Sequence, residues 1–236
     1  MATLTSGPRV SEHWHRRHSG LVRLTHWINA FCFIFLLMSG LQIFNAHPAL
    51  YLGNASDFSH PLLSLHAFPS WLTVPSHQDL ATGRRWHFFF AWLLLLNGLV
   101  YLGWGFSSRH FRGDLLPRRV ELRHTWKEVL DHLRLRFPRG EAAKRYNVLQ
   151  QLAYLLVVFG LFPLMILTGL TMSPAIDSAA PLLLTLFGGR QTARLIHFAA
   201  AWSLVLFVGV HLLLVLLSGL WNNLRSMITG WFDLGK

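Results

Sequence analysis

The chain has 236 residues, of which 53% are hydrophobic and only 13% charged, and its net charge is +11. This composition is unusual for a soluble globular protein and typical of a chain whose apolar surface faces lipid. The positive charge follows from the membrane topology argued below, so it does not call for a nucleic-acid partner. Because Cys32 is the single cysteine, an intrachain disulfide, a CxxCH motif for covalent haem and a cysteine cluster for iron–sulfur or zinc are excluded.

Four apolar runs are long enough to cross a hydrocarbon core of about 30 Å, which takes about 20 helical residues. They contain no Asp, Glu, Lys or Arg apart from Arg23 at the start of the first run. A segment that crosses lipid must be helical, because only a helix satisfies its own backbone polar groups there. The sequence therefore predicts an all-α integral membrane four-helix bundle, built as a single domain over 1–236. The predicted spans are residues 21–44, 86–106, 148–172 and 195–220.

The basic residues are distributed unevenly between the connections. Seventeen of the 21 Lys and Arg residues lie in the N-terminal segment, in the loop between the second and third spans, and in the C-terminal tail. The positive-inside rule therefore places both termini and this central loop in the cytoplasm. The remaining four basic residues are predicted to lie on the outer side: Arg84, Arg85, Arg190 and Arg194.

The loops and the third span carry further signals. The long outer loop, 45–85, has several prolines and aromatic residues but few charges, so we expect it to fold over the outer face of the bundle or to pack on a partner. Apolar residues recur at helical spacing between Leu122 and Phe137 in the central loop. This pattern predicts an amphipathic helix in the cytoplasmic interface, with a solvated surface helix as the alternative. Pro163 is expected to kink the third span.

Four of the 14 histidines lie inside the predicted spans, where an imidazole is costly and usually functional. His197 and His211 are separated by about 21 Å along one helix and leave nearly the same face. His87 and His197 come close to the outer start of their spans, whereas His26 and His211 lie toward the cytoplasmic side. These depths pair His87 with His197 and His26 with His211. The other histidines, including His13, His15 and His18, are expected to be solvated.

Two b-type haems stacked across the membrane, each with two imidazole ligands, would use all four side chains. Arg84 and Arg194 each stand three residues before an outer histidine and so share its helix face. Guanidinium groups bind paired carboxylates well, so both arginines are predicted to clamp the outer haem propionates. The alternative is that they mark helix ends among the headgroups. Six glycines in the spans would leave room for a flat macrocycle or allow close helix packing: Gly40, Gly98, Gly103, Gly160, Gly169 and Gly209.

The stretch RLTHWINAFCFIFLLMSGLQIF at residues 23–44, the early histidine of the second span and the His-x13-His pattern of the fourth resemble the bacterial cytochrome b561 / nickel-iron hydrogenase cytochrome b family. That family includes the membrane subunits of formate dehydrogenase and thiosulfate reductase. The resemblance covers all four spans, and the family's haem ligands match His26, His87, His197 and His211. It implies a four-helix bundle in the bacterial inner membrane that binds two haem b groups.

The resemblance also implies a function. Members of this family pass electrons between a membrane quinone or quinol and a partner redox subunit, often periplasmic, such as a molybdenum enzyme or a hydrogenase. The expected role is therefore electron transfer, without catalytic side chains, and the quinone is expected near His26 and His211. Three alternatives stay open: a stand-alone quinol–superoxide oxidoreductase, a histidine-lined metal transporter, and a structural membrane anchor for a soluble enzyme that holds no cofactor. The sequence also leaves open whether the chain forms a homodimer.

Overall fold

The computed structural model describes residues 13–108, 110, 111, 115–117, 126, 130 and 148–234. Within these residues, four apolar helices are long enough to cross a membrane: Gly20–Asn45, Leu80–Ser107, Val148–Thr171 and Arg190–Leu217. We refer to them as the first to fourth spans. They confirm the predicted all-α membrane fold. Their lipid-facing surface is formed by large apolar side chains such as Leu206 and Leu212, which are well exposed.

The second and fourth helices begin earlier than the apolar runs predict, at Leu80 instead of Trp86 and at Arg190 instead of Leu195. The apolar run marks only the part of a helix that faces hydrocarbon, whereas the helix itself can continue among the headgroups. At the second span, the Asp79 side chain accepts a hydrogen bond from the Thr82 amide at 3.0 Å and caps the longer helix. The fourth span also ends earlier, at Leu217, instead of at Leu220.

Both ends of the described chain meet at one end of the bundle, which we call the terminus end. There the strand Trp14–Arg16 pairs antiparallel with the strand Trp231–Asp233. Between the fourth span and the second of these strands lies a short helix, Leu220–Thr229. The Trp27 indole N–H of the first span donates to the Met227 carbonyl at 3.0 Å and so ties this helix to the bundle.

The opposite end, which we call the loop end, carries the connections 46–79 and 172–189. The first connection contains a two-stranded ribbon, Ala49–Leu50 with Leu63–Ser64, and a 3₁₀ turn, Ser70–Leu72. The second contains two short helices, Pro174–Ala179 and Leu182–Phe187. The first connection folds back on the bundle, as expected: the amide of Asn45 exchanges two hydrogen bonds with the backbone of Phe68, at 2.9 and 2.7 Å.

The third span is not a regular α-helix throughout. It is α-helical over Val148–Leu155, widens to a π-helix over Leu156–Leu161, and is α-helical again over Phe162–Thr171. Pro163 lies at the start of the last part. Proline has no amide to donate and its ring crowds the preceding turn, so the wide turn directly before Pro163 has a local cause.

The predicted interfacial helix of the central loop lies outside the described residues, apart from Trp126 and Leu130. It therefore stays a prediction.

A polar contact joins the first two spans within the membrane. The Asn97 amide is buried and donates to the Asn29 side-chain oxygen at 2.7 Å and to the Thr25 carbonyl at 2.9 Å. Lipid offers no alternative partner for these groups, so the bond favours the pairing of the two helices.

We expect Asn97→Leu to lower the stability of the bundle by roughly 1 kcal/mol, the usual size of an interhelical hydrogen bond in a membrane. Unfolding of the purified protein in detergent, followed by circular dichroism, measures the change. Asn29→Leu and the double variant complete the cycle. If the two effects were fully additive, the Asn29–Asn97 bond would contribute nothing.

Candidate functional site

The loop-end histidines come from the two spans that begin at that end. His87 lies in the second span and His197 in the fourth, and their ring centroids are 6.3 Å apart with ring planes at 61°. The structure thus brings the two rings of this predicted pair together across the bundle interior. We call it the loop-end pair.

The terminus-end histidines also face each other. His26 of the first span and His211 of the fourth have ring centroids 6.3 Å apart, with ring planes at 56°. Aromatic side chains of their own helices lie beside them: Trp27 lies edge-on to His26 at 5.3 Å, and Phe207 stacks on His211 at 6.1 Å. We call this the terminus-end pair. Counting along the spans matches the depths of His26 and His211 only to within about a turn, and the structure places their rings as close together as those of the other pair.

In both pairs the ring centroids are 6.3 Å apart, and this distance can be compared with the centroid distance of two imidazoles that share one metal ion. With metal–nitrogen bonds of about 2.0 Å and about 1.1 Å from nitrogen to ring centre, rings on opposite sides of one ion have centroids about 6.2 Å apart. Each pair therefore has the spacing of two axial ligands. Two imidazoles are also the protein's whole contribution to a bis-histidine haem, so the residues present fit this group.

Both rings of the loop-end pair are held through their second nitrogen. The His87 Nδ1 lies 3.1 Å from the Ser39 hydroxyl of the first span, and the His197 Nδ1 lies 3.0 Å from the Thr168 hydroxyl of the third. Within the described residues, neither ring of the terminus-end pair shows a hydrogen bond, and the buried Nδ1 of His26 has no partner. Neither Ser39 nor Thr168 could be identified from the sequence alone.

Two of the six glycines lie against the loop-end rings. A Cβ atom on Gly40 would lie 3.4 Å from the His87 Cε1, and one on Gly169 would lie 3.4 Å from the His197 Cε1. These two glycines therefore give the imidazoles room to lie against the neighbouring helix. In contrast, open space adjoins the Cβ positions of Gly98, Gly103 and Gly209.

The two arginines predicted to clamp propionates differ in their surroundings. The Arg194 guanidinium donates to the carbonyls of His47 and Ala49, at 2.5 and 2.9 Å, and so fastens the first loop to the fourth span. Arg84 is exposed and lies over the Phe88 ring, 5.6 Å from its centroid. Arg194 thus has a structural role that the sequence did not indicate, and the clamp stays a prediction.

If the loop-end pair holds a haem, Arg84→Ala should lower the reduction potential of that haem, because a nearby positive charge favours the reduced iron. Arg194→Ala should do the same and also loosen the loop. Arg16→Ala is the control, since it removes an exposed positive charge at the opposite end. Redox titration of the haem spectrum measures the shift. Unchanged haem content and potential in both variants would exclude the clamp.

His18 is a correction to the expectation that the N-terminal histidines are solvated. It precedes the first span and is only 8% exposed. Burial, and next the charge of Arg17, lower the pKa of His18 to about 4, so its ring is neutral at pH 7. The basic run around it suggested a solvated segment, whereas this part of the chain lies against the C-terminal segment, where the Arg17 amide donates to the Gly230 carbonyl at 2.9 Å.

Comparison with known proteins identifies the family. A family model described as prokaryotic cytochrome b561 matches residues 17–230. YedZ1 of Azospira oryzae, a candidate protein-methionine-sulfoxide reductase subunit, is 30% identical over 221 residues, which cover 94% of this chain and 100% of the relative. A candidate Ni/Fe-hydrogenase B-type cytochrome subunit of Bradyrhizobium diazoefficiens is 28% identical over 223 residues, covering 89% of this chain and 82% of the relative.

A third relative, the candidate cytochrome YdhU of Escherichia coli, is 29% identical over 205 residues, covering 84% of this chain and 66% of the relative. No solved structure gives a significant match. The family model extends over all four spans and both histidine pairs. The chain therefore belongs to the prokaryotic cytochrome b561 family and is a multi-pass membrane b-type cytochrome that functions in electron transfer.

Proposed function

We propose that this protein is a dihaem subunit that carries electrons between a membrane quinone and a partner redox subunit. The observation that supports it most is the presence of two facing imidazole pairs, each with ring centroids 6.3 Å apart, in one membrane bundle. The two fourth-span histidines are about 21 Å apart along the helix, which is too far for a single haem to use both pairs.

The chain's contribution to this function is to hold and separate the two cofactors. His87 and His197 would hold one haem, and His26 and His211 the other. Bound haem would supply reversible one-electron iron chemistry. Because two imidazoles would hold each iron, such a site would leave no position for a substrate to bind it, and the chain would act as a conductor of electrons.

The relatives support a partner subunit. YedZ1 is named as a candidate subunit of a methionine-sulfoxide reductase and the Bradyrhizobium protein as a candidate cytochrome subunit of a hydrogenase. Both names describe a subunit of a redox enzyme, and the second name calls that subunit a cytochrome. We propose that this chain, as a single domain, serves a redox enzyme of the same kind. The partner would dock at the loop end, which carries the ordered connections 46–79 and 172–189.

The orientation and the quinone belong to the same proposal. The excess of Lys and Arg in the sequence before the first span, between the second and third spans, and after the fourth span would place the terminus end in the cytoplasm of a bacterial inner membrane and the loop end in the periplasm. The quinone would then bind near the terminus-end pair, as the resemblance implies. A metal transporter is disfavoured, because the chain belongs to a family of cytochromes.

Quinol reduction tests the proposal. We expect a reduced quinone analogue to reduce the haems of the purified protein in nanodiscs, and we expect affinity purification from native membranes to recover a redox enzyme. If quinol reduced the haems and no enzyme were recovered, the stand-alone quinol–superoxide oxidoreductase would be favoured. If dithionite reduced the haems and no quinol did, the quinone part would be wrong.

A further inference from the structure

Two buried hydroxyl groups occupy equivalent places beside the loop-end histidines. Ser39 and Thr168 have no exposed surface, and each lies in the span next to the one that carries its histidine. The distances from hydroxyl to Nδ1 are 3.1 Å for Ser39 with His87 and 3.0 Å for Thr168 with His197. Both are normal hydrogen-bond lengths.

The direction of these hydrogen bonds follows from the other partner of each hydroxyl. The Ser39 hydroxyl lies 2.6 Å from the Phe35 carbonyl, and the Thr168 hydroxyl lies 2.6 Å from the Leu164 carbonyl. A carbonyl can only accept, so each hydroxyl gives its single proton to its own helix. Its oxygen then accepts from the imidazole. This assigns the ring proton to Nδ1 and leaves Nε2 free as the metal-binding nitrogen.

The same short sequence provides both contacts. Ser39 is followed by Gly40 and Leu41, and Thr168 is followed by Gly169 and Leu170. In each case the hydroxyl binds Nδ1 while the glycine lies against Cε1 of the same ring, 3.4 Å from its would-be Cβ. The first and third spans thus place the same pair of residues, a hydroxyl residue followed by glycine, against the histidines of the second and fourth spans. Within the described residues, the terminus-end pair has no corresponding hydroxyl.

We propose that Ser39 and Thr168 are positioning residues that lower the reduction potential of the loop-end haem and fix the orientation of its two ligands. The proposal rests on the dihaem function above. An imidazole whose Nδ1–H is held by an acceptor donates more electron density through Nε2, and this stabilises the oxidised iron. Among the described residues the terminus-end rings meet no such acceptor, so the effect is confined to one haem and helps to separate the two potentials.

The test uses Ser39→Ala, Thr168→Val and the double variant of the full-length protein. Redox titration and electron paramagnetic resonance of the oxidised protein are the readouts, with haem content counted in parallel. We expect two haems per chain to remain. One of the two potentials should move upward, further in the double variant than in either single one, and the low-spin signal of that haem should change. The other potential should not move.

Thr171→Val is the matched control. Thr171 lies on the same helix as Thr168, is 1% exposed, and its hydroxyl donates to the carbonyl of Leu167 in its own helix at 2.8 Å. The Thr171→Val variant therefore loses a buried hydroxyl that is not bonded to either histidine. Ser39→Thr and Thr168→Ser keep a hydroxyl and should behave like the unmodified protein.

Two results would overturn the proposal. One is a double variant with both haems, unchanged potentials and an unchanged resonance signal. The other result concerns the case in which Ser39→Ala and Thr168→Val lose the loop-end haem. Ser39→Thr and Thr168→Ser should then retain this haem. Loss of the haem from these two hydroxyl-containing variants as well would show that the shape of the side chain matters and the hydroxyl does not. A failure of the dihaem function itself is distinguished from both, because it appears as a wrong haem count in the unmodified protein.

Discussion

His87→Ala is expected to remove the loop-end haem and leave the other in place, so that the haem content falls from two per chain to one. His87 and His197 are the two imidazoles of that layer, so the variant leaves the loop-end haem with a single imidazole ligand. His211→Ala should remove the terminus-end haem by the same reasoning. A pyridine haemochrome assay counts the haems, and redox titration shows which potential has disappeared.

The control for this pair of variants is His66→Ala. His66 is exposed in the first loop, at the same end of the bundle as His87 but outside the spans. It should keep both haems. Retention of both haems in His87→Ala would mean that the loop-end pair is wrongly assigned. Loss of both haems from one single variant, in protein that remains folded, would mean that the two layers are not independent.

Gly40→Leu and Gly169→Leu are expected to lose the loop-end haem almost as completely. A Cβ atom at either position would be at 3.4 Å from a histidine Cε1, the limit of ordinary contact. The additional atoms of leucine would push the ring away from its partner, and interiors packed at crystal-like density cannot absorb this volume without displacement. Gly40→Ala and Gly169→Ala should retain the haem, with a shifted potential.

Gly103→Leu is the control for this series, because Gly103 is exposed and, apart from its own helix backbone, no atom of the described residues lies within 4 Å of its would-be Cβ. It should keep both haems. The haem content of detergent-purified variants, normalised to protein, gives the result. If Gly40→Leu and Gly169→Leu kept the full haem content, the glycines would have no role in seating the rings.

The positions of the spans and the pairing of the histidines could both be predicted from the sequence. An apolar run has to be helical in lipid, and the depth of a residue in such a helix follows from simple counting. This is why His26 could be paired with His211 across the bundle. The helix ends were less predictable, since Arg84, Arg85 and Arg190 interrupt the apolar pattern without ending the helix.

The surroundings of the histidines could not be predicted. Serine and threonine within an apolar helix usually bond a carbonyl one turn earlier, as Thr171 does. Whether the hydroxyl oxygen also reaches a neighbouring helix depends on the rotation of that helix, which composition does not determine. The role of Arg194 was not predictable either. Its spacing from His197 placed it on the same helix face as that histidine, but only the folded loop shows that it binds the carbonyls of His47 and Ala49.

The most direct test of the dihaem account is the haem content of the unmodified protein. The protein is purified in detergent from cells with an adequate haem supply, and a pyridine haemochrome assay is combined with the reduced-minus-oxidised spectrum. The account predicts two b-type haems per chain, one for each histidine pair. One haem per chain would show that one pair is not a ligand pair, and no haem would contradict the assignment of all four histidines.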